Sequence, residues 1–248
     1  MLSSESILST LSSHRRLDAG FALVVILVIV STEYFFRHYF LFWFPHIGTL
    51  RVNDMISLFL AYFILAGTLG FITAVDWNKE LSAVYRAVHE CITKWSYVPW
   101  IIAIVASITV LSVLDRWLLS NLTIPVLESS HRNSTIWLSV LALPLKAISL
   151  VVINGLFVPV AEEFLWRGIV QPRFARVFAL PVAIGITATL FSLKHVLVDG
   201  SFGRFLMAIG FGVICGLLSY RKGWTASAAL HAVINTISSI AALAMGTV

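Results

Sequence analysis

A chain of 248 residues that is 59% hydrophobic and 12% charged, with a mean hydropathy of +0.93, cannot form a water-soluble fold, because soluble domains are about a quarter charged. Its net charge of +5 is explained by basic residues that flank apolar spans and meet anionic headgroups, and requires no nucleic-acid partner. Cys91 and Cys215 lie far apart in different segments, which supports neither a disulfide framework nor a thiolate metal cluster.

In chain order, His14, Arg15 and Arg16 precede an apolar run that continues from Ala19 to Phe36 with Glu33 near its end. No small-x-small cleavage site follows, so the run predicts a retained signal anchor. Uncharged stretches from Met55 to Val75, Trp95 to Leu114 and Gly223 to Val248 each reach the roughly 18 to 20 residues that cross a hydrocarbon core. Further spans are predicted over Ile136 to Ala161, interrupted by Lys146, over Val177 to Leu193 and over Phe205 to Tyr220. The expected fold is all-α, a polytopic transmembrane helix bundle of about seven spans, in a range of roughly six to eight.

The polar stretches around Asp76 to Lys94 and Asp115 to Ser134 read as interhelical loops. Asn121-Leu-Thr123 and Asn133-Ser-Thr135 match the glycosylation acceptor pattern, a tripeptide that arises often by chance and carries no weight here. Gly212 and Gly216 form a small-xxx-small pair, a mark of close helix packing. With about seven spans, Arg15, Arg16, Lys79, Arg86, Lys94, Arg173, Arg176, Arg221 and Lys222 fall on one side. Arg37, Arg51, Arg116, Arg132, Lys194 and Arg204 fall on the other, a bias that favours a cytoplasmic N-terminus.

The two parts of the chain differ in their ionisable content. Residues 1–145 read as scaffold or substrate-guiding helices, whereas residues 146–248 place Glu162, Glu163, Arg167, His195 and His231 within or beside apolar segments. Ionisable groups at membrane depth are unfavourable there and so invite a functional reading.

Three short patterns carry the chemistry. In Val160-Ala-Glu162-Glu163-Phe-Leu-Trp-Arg167, Glu163 and Arg167 share a helix face and can pair in place. Glu162 points about 100° away and lacks that partner. Taken alone, the cluster reads as a structural ion pair at a membrane boundary. Phe191-Ser-Leu-Lys-His195 and His231-Ala-Val-Ile-Asn235 are equally unspecific singly, since a lone helical histidine is more often an interfacial or core residue.

Their combination changes the reading. A chain reversal near Ala179-Leu180-Pro181 puts Glu162 and His195 nearly equally far from the turn, so two antiparallel helices bring them to one depth. A carboxylate, two imidazoles and a carboxamide suffice for amide hydrolysis by water, with a base for its proton and donors for the oxyanion. The same set admits a zinc site, although no His-Glu-x-x-His is present. It also admits a proton-relaying transporter and a non-catalytic escort or immunity protein.

From about Lys146 to Asn235, the ordered patterns Glu-Glu-x-x-x-Arg, Phe-x-x-x-His and His-x-x-x-Asn resemble those of the CAAX prenyl protease and bacteriocin-processing (CPBP, or Abi) family of intramembrane glutamic endopeptidases. The resemblance implies that Glu162 activates water with help from His195. It further implies that His231 and Asn235 bind the oxyanion, that Glu163, Arg167 and Phe191 support the site, and that no metal or cofactor takes part. The implied partners are the bilayer and a membrane-associated peptide or protein, lipidated or bearing a C-terminal sorting tail. The implied location is a bacterial inner membrane.

Overall fold

Apolar stretches become helices in lipid because every backbone N–H and C=O must be satisfied within its own segment. A computed structural model describes residues 4–39, 50–119, 121–122, 144 and 147–245. Its helices are α1 (Ser4–His38), α2 (Leu50–Ile72), α3 (Trp77–Thr93) and α4 (Val98–Leu118), then α5 (Ser149–Val177), α6 (Leu180–Asp199), α7 (Phe205–Lys222) and α8 (Trp224–Ala244). All but α3 supply one of 7 candidate membrane spans, so the described residues form the expected all-α bundle. Thr123, Arg132, Asn133-Ser-Thr135 and Lys146 lie outside the described residues, as do the side chains of Arg15 and Arg51.

Two boundaries differ from the sequence reading. Among the described residues the fourth span covers Ser149–Val177, so it runs well beyond the predicted end at Ala161, while residues 136–143, where it is predicted to begin, lie outside the described residues. Glu162, Glu163 and Arg167 weigh against membrane burial in a hydropathy count, yet all three are buried in this span, where their partners neutralise them. The stretch after Asp76 is no loop: α3 is a helix whose N-terminus is capped by the Asp76 carboxylate, which accepts from the backbone N–H groups of Asn78 and Lys79. Val84, Ala87 and Cys91 recur at helical spacing and are buried, forming an apolar stripe on a helix that packs against α8. Burial pushes the Cys91 thiol up to about 11, which marks it as an inert core residue.

α5 is the centre of the bundle. Within the most apolar 18 residues of its span 61% are buried, against 11% for the span that holds α4, which packs chiefly on α7. α5 runs in wide π turns over Ser149–Phe157 and Phe164–Val170, with α-helical turns at Val158–Glu163 between them. The chain leaves α5 through Phe178 in an extended conformation and enters α6 with a proline in its first turn, which a helix start tolerates. The reversal near Ala179-Leu180-Pro181 is therefore where the sequence puts it.

The small-residue pair on α7 does more than allow close packing. A Cβ on Gly212 would lie 2.9 Å from the Ala188 Cβ, and one on Gly216 would lie 2.9 Å from the Ile184 Cγ2, so α7 sits tightly against α6. With no side chains in the way, the Gly212 carbonyl accepts from Arg167 at 3.2 Å and the Gly216 carbonyl from Gln171 at 3.1 Å. At the start of α7 the buried Asp115 of α4 accepts from the N–H groups of Leu206 and Met207, both at 2.8 Å, a cap supplied by a neighbouring helix.

Candidate functional site

Adjacent glutamates at the middle of α5 point into two different networks. The Glu163 side chain is fully buried. Its Oε1 takes Arg167 at 3.0 Å and meets His231 Nδ1 at 3.1 Å, and its Oε2 accepts from the Ser227 hydroxyl at 2.6 Å. Both oxygens are satisfied, and the Arg167 guanidinium also lies 4.7 Å over the Phe191 ring. This is the bracing pair expected from the i,i+4 spacing, extended across α7 and α8.

Glu162 has partners that no local pattern announces. Its Oε1 lies 2.7 Å from Lys194 Nζ and 2.7 Å from the Tyr62 hydroxyl. Lys194 also reaches Glu33 Oε2 at 3.0 Å, and the Tyr62 hydroxyl lies 2.6 Å from that same oxygen. The expectation of an unpartnered Glu162 is therefore corrected: its counter-charge comes from α6 and its hydroxyl from α2. Only Oε2 is turned to the rest of the site, with His231 Nε2 at 4.0 Å.

Lys194 is likewise corrected. The sequence reading counts it among the basic residues flanking one membrane face, but its side chain is fully buried between two carboxylates.

His195, one residue on, stands edge-on to Phe191 with ring centroids 4.9 Å apart. Its Nδ1 is 3.9 Å from Asp199 Oδ2, beyond hydrogen-bonding distance, and is buried without a hydrogen-bond partner among the described residues. Asp199 itself is held by Arg37 at 2.8 Å and by Arg204.

Asn235 is fixed by a consequence of the π turns. The Val158 N–H bonds to the Ile153 carbonyl, so the Asn154 carbonyl would next face residue 159, a proline with no N–H to give. The Asn235 carboxamide donates to the Asn154 carbonyl instead, at 3.2 Å.

Glu162, His195, His231 and Asn235 all line one cavity of about 380 Å³, together with Glu33 and a largely apolar wall that includes Met55, Phe191 and Phe211. That size falls within the usual range of ligand pockets. Glu163 and Arg167 are not among its lining residues and act from behind it. Four residues of these networks escaped the sequence reading as functional: Glu33, Tyr62, Lys194 and Ser227. For Glu33 and Lys194 a signal existed, since each is an ionisable group inside an apolar run. Tyr62 and Ser227 gave none, because hydroxyls are common in spans. Among the described residues, no three His, Cys, Asp or Glu side chains are grouped to hold a metal ion.

Residues 144–237 match the family model described as Type II CAAX prenyl endopeptidase Rce1-like. No curated protein and no solved structure matches the chain. The matched segment holds all three sequence patterns and the four cavity-lining residues of the expected set, and leaves Glu33 and Tyr62 outside it.

Proposed function

We propose, from the match of residues 144–237 to the Type II CAAX prenyl endopeptidase Rce1-like model, that the chain is a membrane endopeptidase of the CPBP, or CAAX protease, family and that it cleaves a peptide bond by glutamate-activated water. The observation that carries this reading is the convergence of Glu162, His195, His231 and Asn235 on one cavity, with the Glu163–Arg167 pair behind it.

In the proposed reaction Glu162 Oε2 takes a proton from water while the water oxygen attacks the scissile carbonyl. His195 helps orient the water. The carbonyl π electrons pass to oxygen, and His231 and Asn235 donate to the resulting oxyanion. Collapse of the intermediate breaks the C–N bond, and the proton held by Glu162 passes to the leaving amine.

The 3.1 Å contact of His231 Nδ1 with Glu163 bears on the imidazole's state. If Nδ1–H is given to Glu163, Nε2 of a neutral ring is an acceptor, so donation to the oxyanion requires the doubly protonated ring. Glu163 and Glu162 flank the ring, 3.1 Å from Nδ1 and 4.0 Å from Nε2.

The substrate class that the family description suggests is a membrane-associated peptide with a prenylated CAAX end. A bacterial cell membrane and a cytoplasmic N-terminus complete the proposal. The protein, purified and returned to lipid vesicles, should release the C-terminal fragment of a synthetic prenylated CAAX peptide at an undiminished rate after extensive EDTA or phenanthroline treatment. Loss of cleavage restored specifically by zinc would instead make Glu162 and the histidines metal ligands. Absence of cleavage by the wild type would overturn the substrate class.

Asn235→Ala should lower kcat by about 10²-fold, the scale for one oxyanion donor, with a much smaller change in KM. If the carboxamide served only its bond to Asn154, the mutant would lose stability while each folded molecule kept its turnover. Measuring kcat per monodisperse folded molecule separates the two.

A further inference from the structure

We propose that Glu33, Tyr62 and Lys194 form a positioning set that holds Glu162 by its Oε1 and commits its Oε2 to the reaction, making α1 and α2 part of the active machinery. The proposal rests on Glu162 being the base.

A glutamate side chain has two chemically equivalent oxygens and enough rotatable bonds to present either one. In this site they are made inequivalent. Oε1 is occupied twice, by the Lys194 ammonium and the Tyr62 hydroxyl, each at 2.7 Å, and two short contacts from different helices fix both the position and the roll of the carboxylate. Among the described residues, Oε2 keeps only the 4.0 Å approach of His231.

The holders are themselves held. Lys194 has three N–H donors and three oxygens within 3.0 Å, on Glu162, Glu33 and Tyr62, so its donor capacity is filled. Glu33 also lines the cavity, yet it is unsuited to be the base. Its Oε2 accepts from Lys194 at 3.0 Å and shares the single Tyr62 hydroxyl proton with Glu162 Oε1, and its Oε1 faces Arg37 at 3.8 Å. Neither Lys194 nor Tyr62 lines the cavity, so both act through Glu162 and not on substrate.

A simpler reading gives the trio a purely structural task, with Glu33 neutralising Lys194 and docking α1 and α2 onto α5. The two readings part in kinetics. A positioning role predicts that Tyr62→Phe, Glu33→Gln and Lys194→Met each lower kcat per folded molecule by about 10- to 100-fold on a prenylated CAAX peptide, the scale for loosening a reacting group. KM should stay within about threefold. Because the three act as one unit, Tyr62→Phe with Glu33→Gln should be no slower than the slower single variant.

Should Lys194→Met fail to fold, Tyr62→Phe carries the test, since it removes one hydroxyl and no charge. A structural role would instead lower the thermal midpoint and leave kcat per folded molecule at the wild-type value in all three variants, and that result overturns the proposal. Glu162→Gln, assayed alongside, keeps the layers distinct. An inactive Glu162→Gln beside fully active trio variants rejects the positioning set alone, whereas an active Glu162→Gln rejects the base on which it rests.

Discussion

Glu162→Gln is expected to abolish cleavage, with a loss near 10³-fold or more, inside the 10²- to 10⁴-fold range of a positioned general base, while the protein stays folded. The structure explains why these two properties separate. The glutamine carbonyl can occupy the place of Oε1 and keep accepting from Lys194 and Tyr62, each at 2.7 Å from that oxygen. Its amide then replaces Oε2, the one atom turned toward His231. An amide nitrogen is no base toward water at neutral pH, so the chemistry is lost and the scaffold contacts remain.

The controls follow from the same geometry. Glu162→Gln should elute as the same monodisperse species as wild type in detergent and unfold at a nearly unchanged temperature. It should bind a prenylated peptide with similar affinity, because the apolar cavity wall is untouched. Turnover equal to that of wild type would remove Glu162 from the reaction.

What could be read from the sequence was whatever is encoded within one helix. The apolar runs gave the spans, since each run must satisfy its own backbone in lipid. The four-residue spacing gave the pairing of Glu163 with Arg167, observed at 3.0 Å, and the reversal at Ala179-Leu180-Pro181 brought Glu162 and His195 to one cavity. Spacing also put Asn235 one turn beyond His231 on α8.

What could not be read was whatever joins helices distant in the chain. Tyr62 meets Glu162 across 100 residues and Lys194 meets it across 32. No local period encodes either contact. Lys194 was misplaced at a membrane face because charge counting takes every lysine near an apolar run as a flanking one, and only the two carboxylates from α1 and α5 make its burial tolerable. The same accounting hid α3: its charges read as a loop, while the buried stripe of Val84, Ala87 and Cys91 gains its meaning from α8. For the same reason no local pattern announces that Glu33 of α1 shares the cavity of Glu162, His195, His231 and Asn235.

Arg167→Met should be strongly destabilising, by about 3 to 5 kcal/mol, the scale for removing one partner of a buried ion pair. The Arg167 side chain is fully buried, as is that of Glu163, so its loss leaves a carboxylate in the centre of the bundle with only Ser227 and His231 to meet it. The Gly212 carbonyl, which accepts from Arg167 at 3.2 Å, loses that donor as well. Methionine fills a similar length without charge, so the effect is chiefly electrostatic and not a cavity.

A companion variant separates the charge from everything else. Adding Glu163→Gln to Arg167→Met removes the stranded carboxylate, and neutral replacement of both members of a buried pair is often close to neutral in stability. The double variant should therefore unfold at a higher temperature than Arg167→Met alone, a coupling that a double-mutant cycle reads directly. Simple addition of the two single effects would show that Arg167 and Glu163 do not act as a pair, and that the brace behind His231 lies elsewhere.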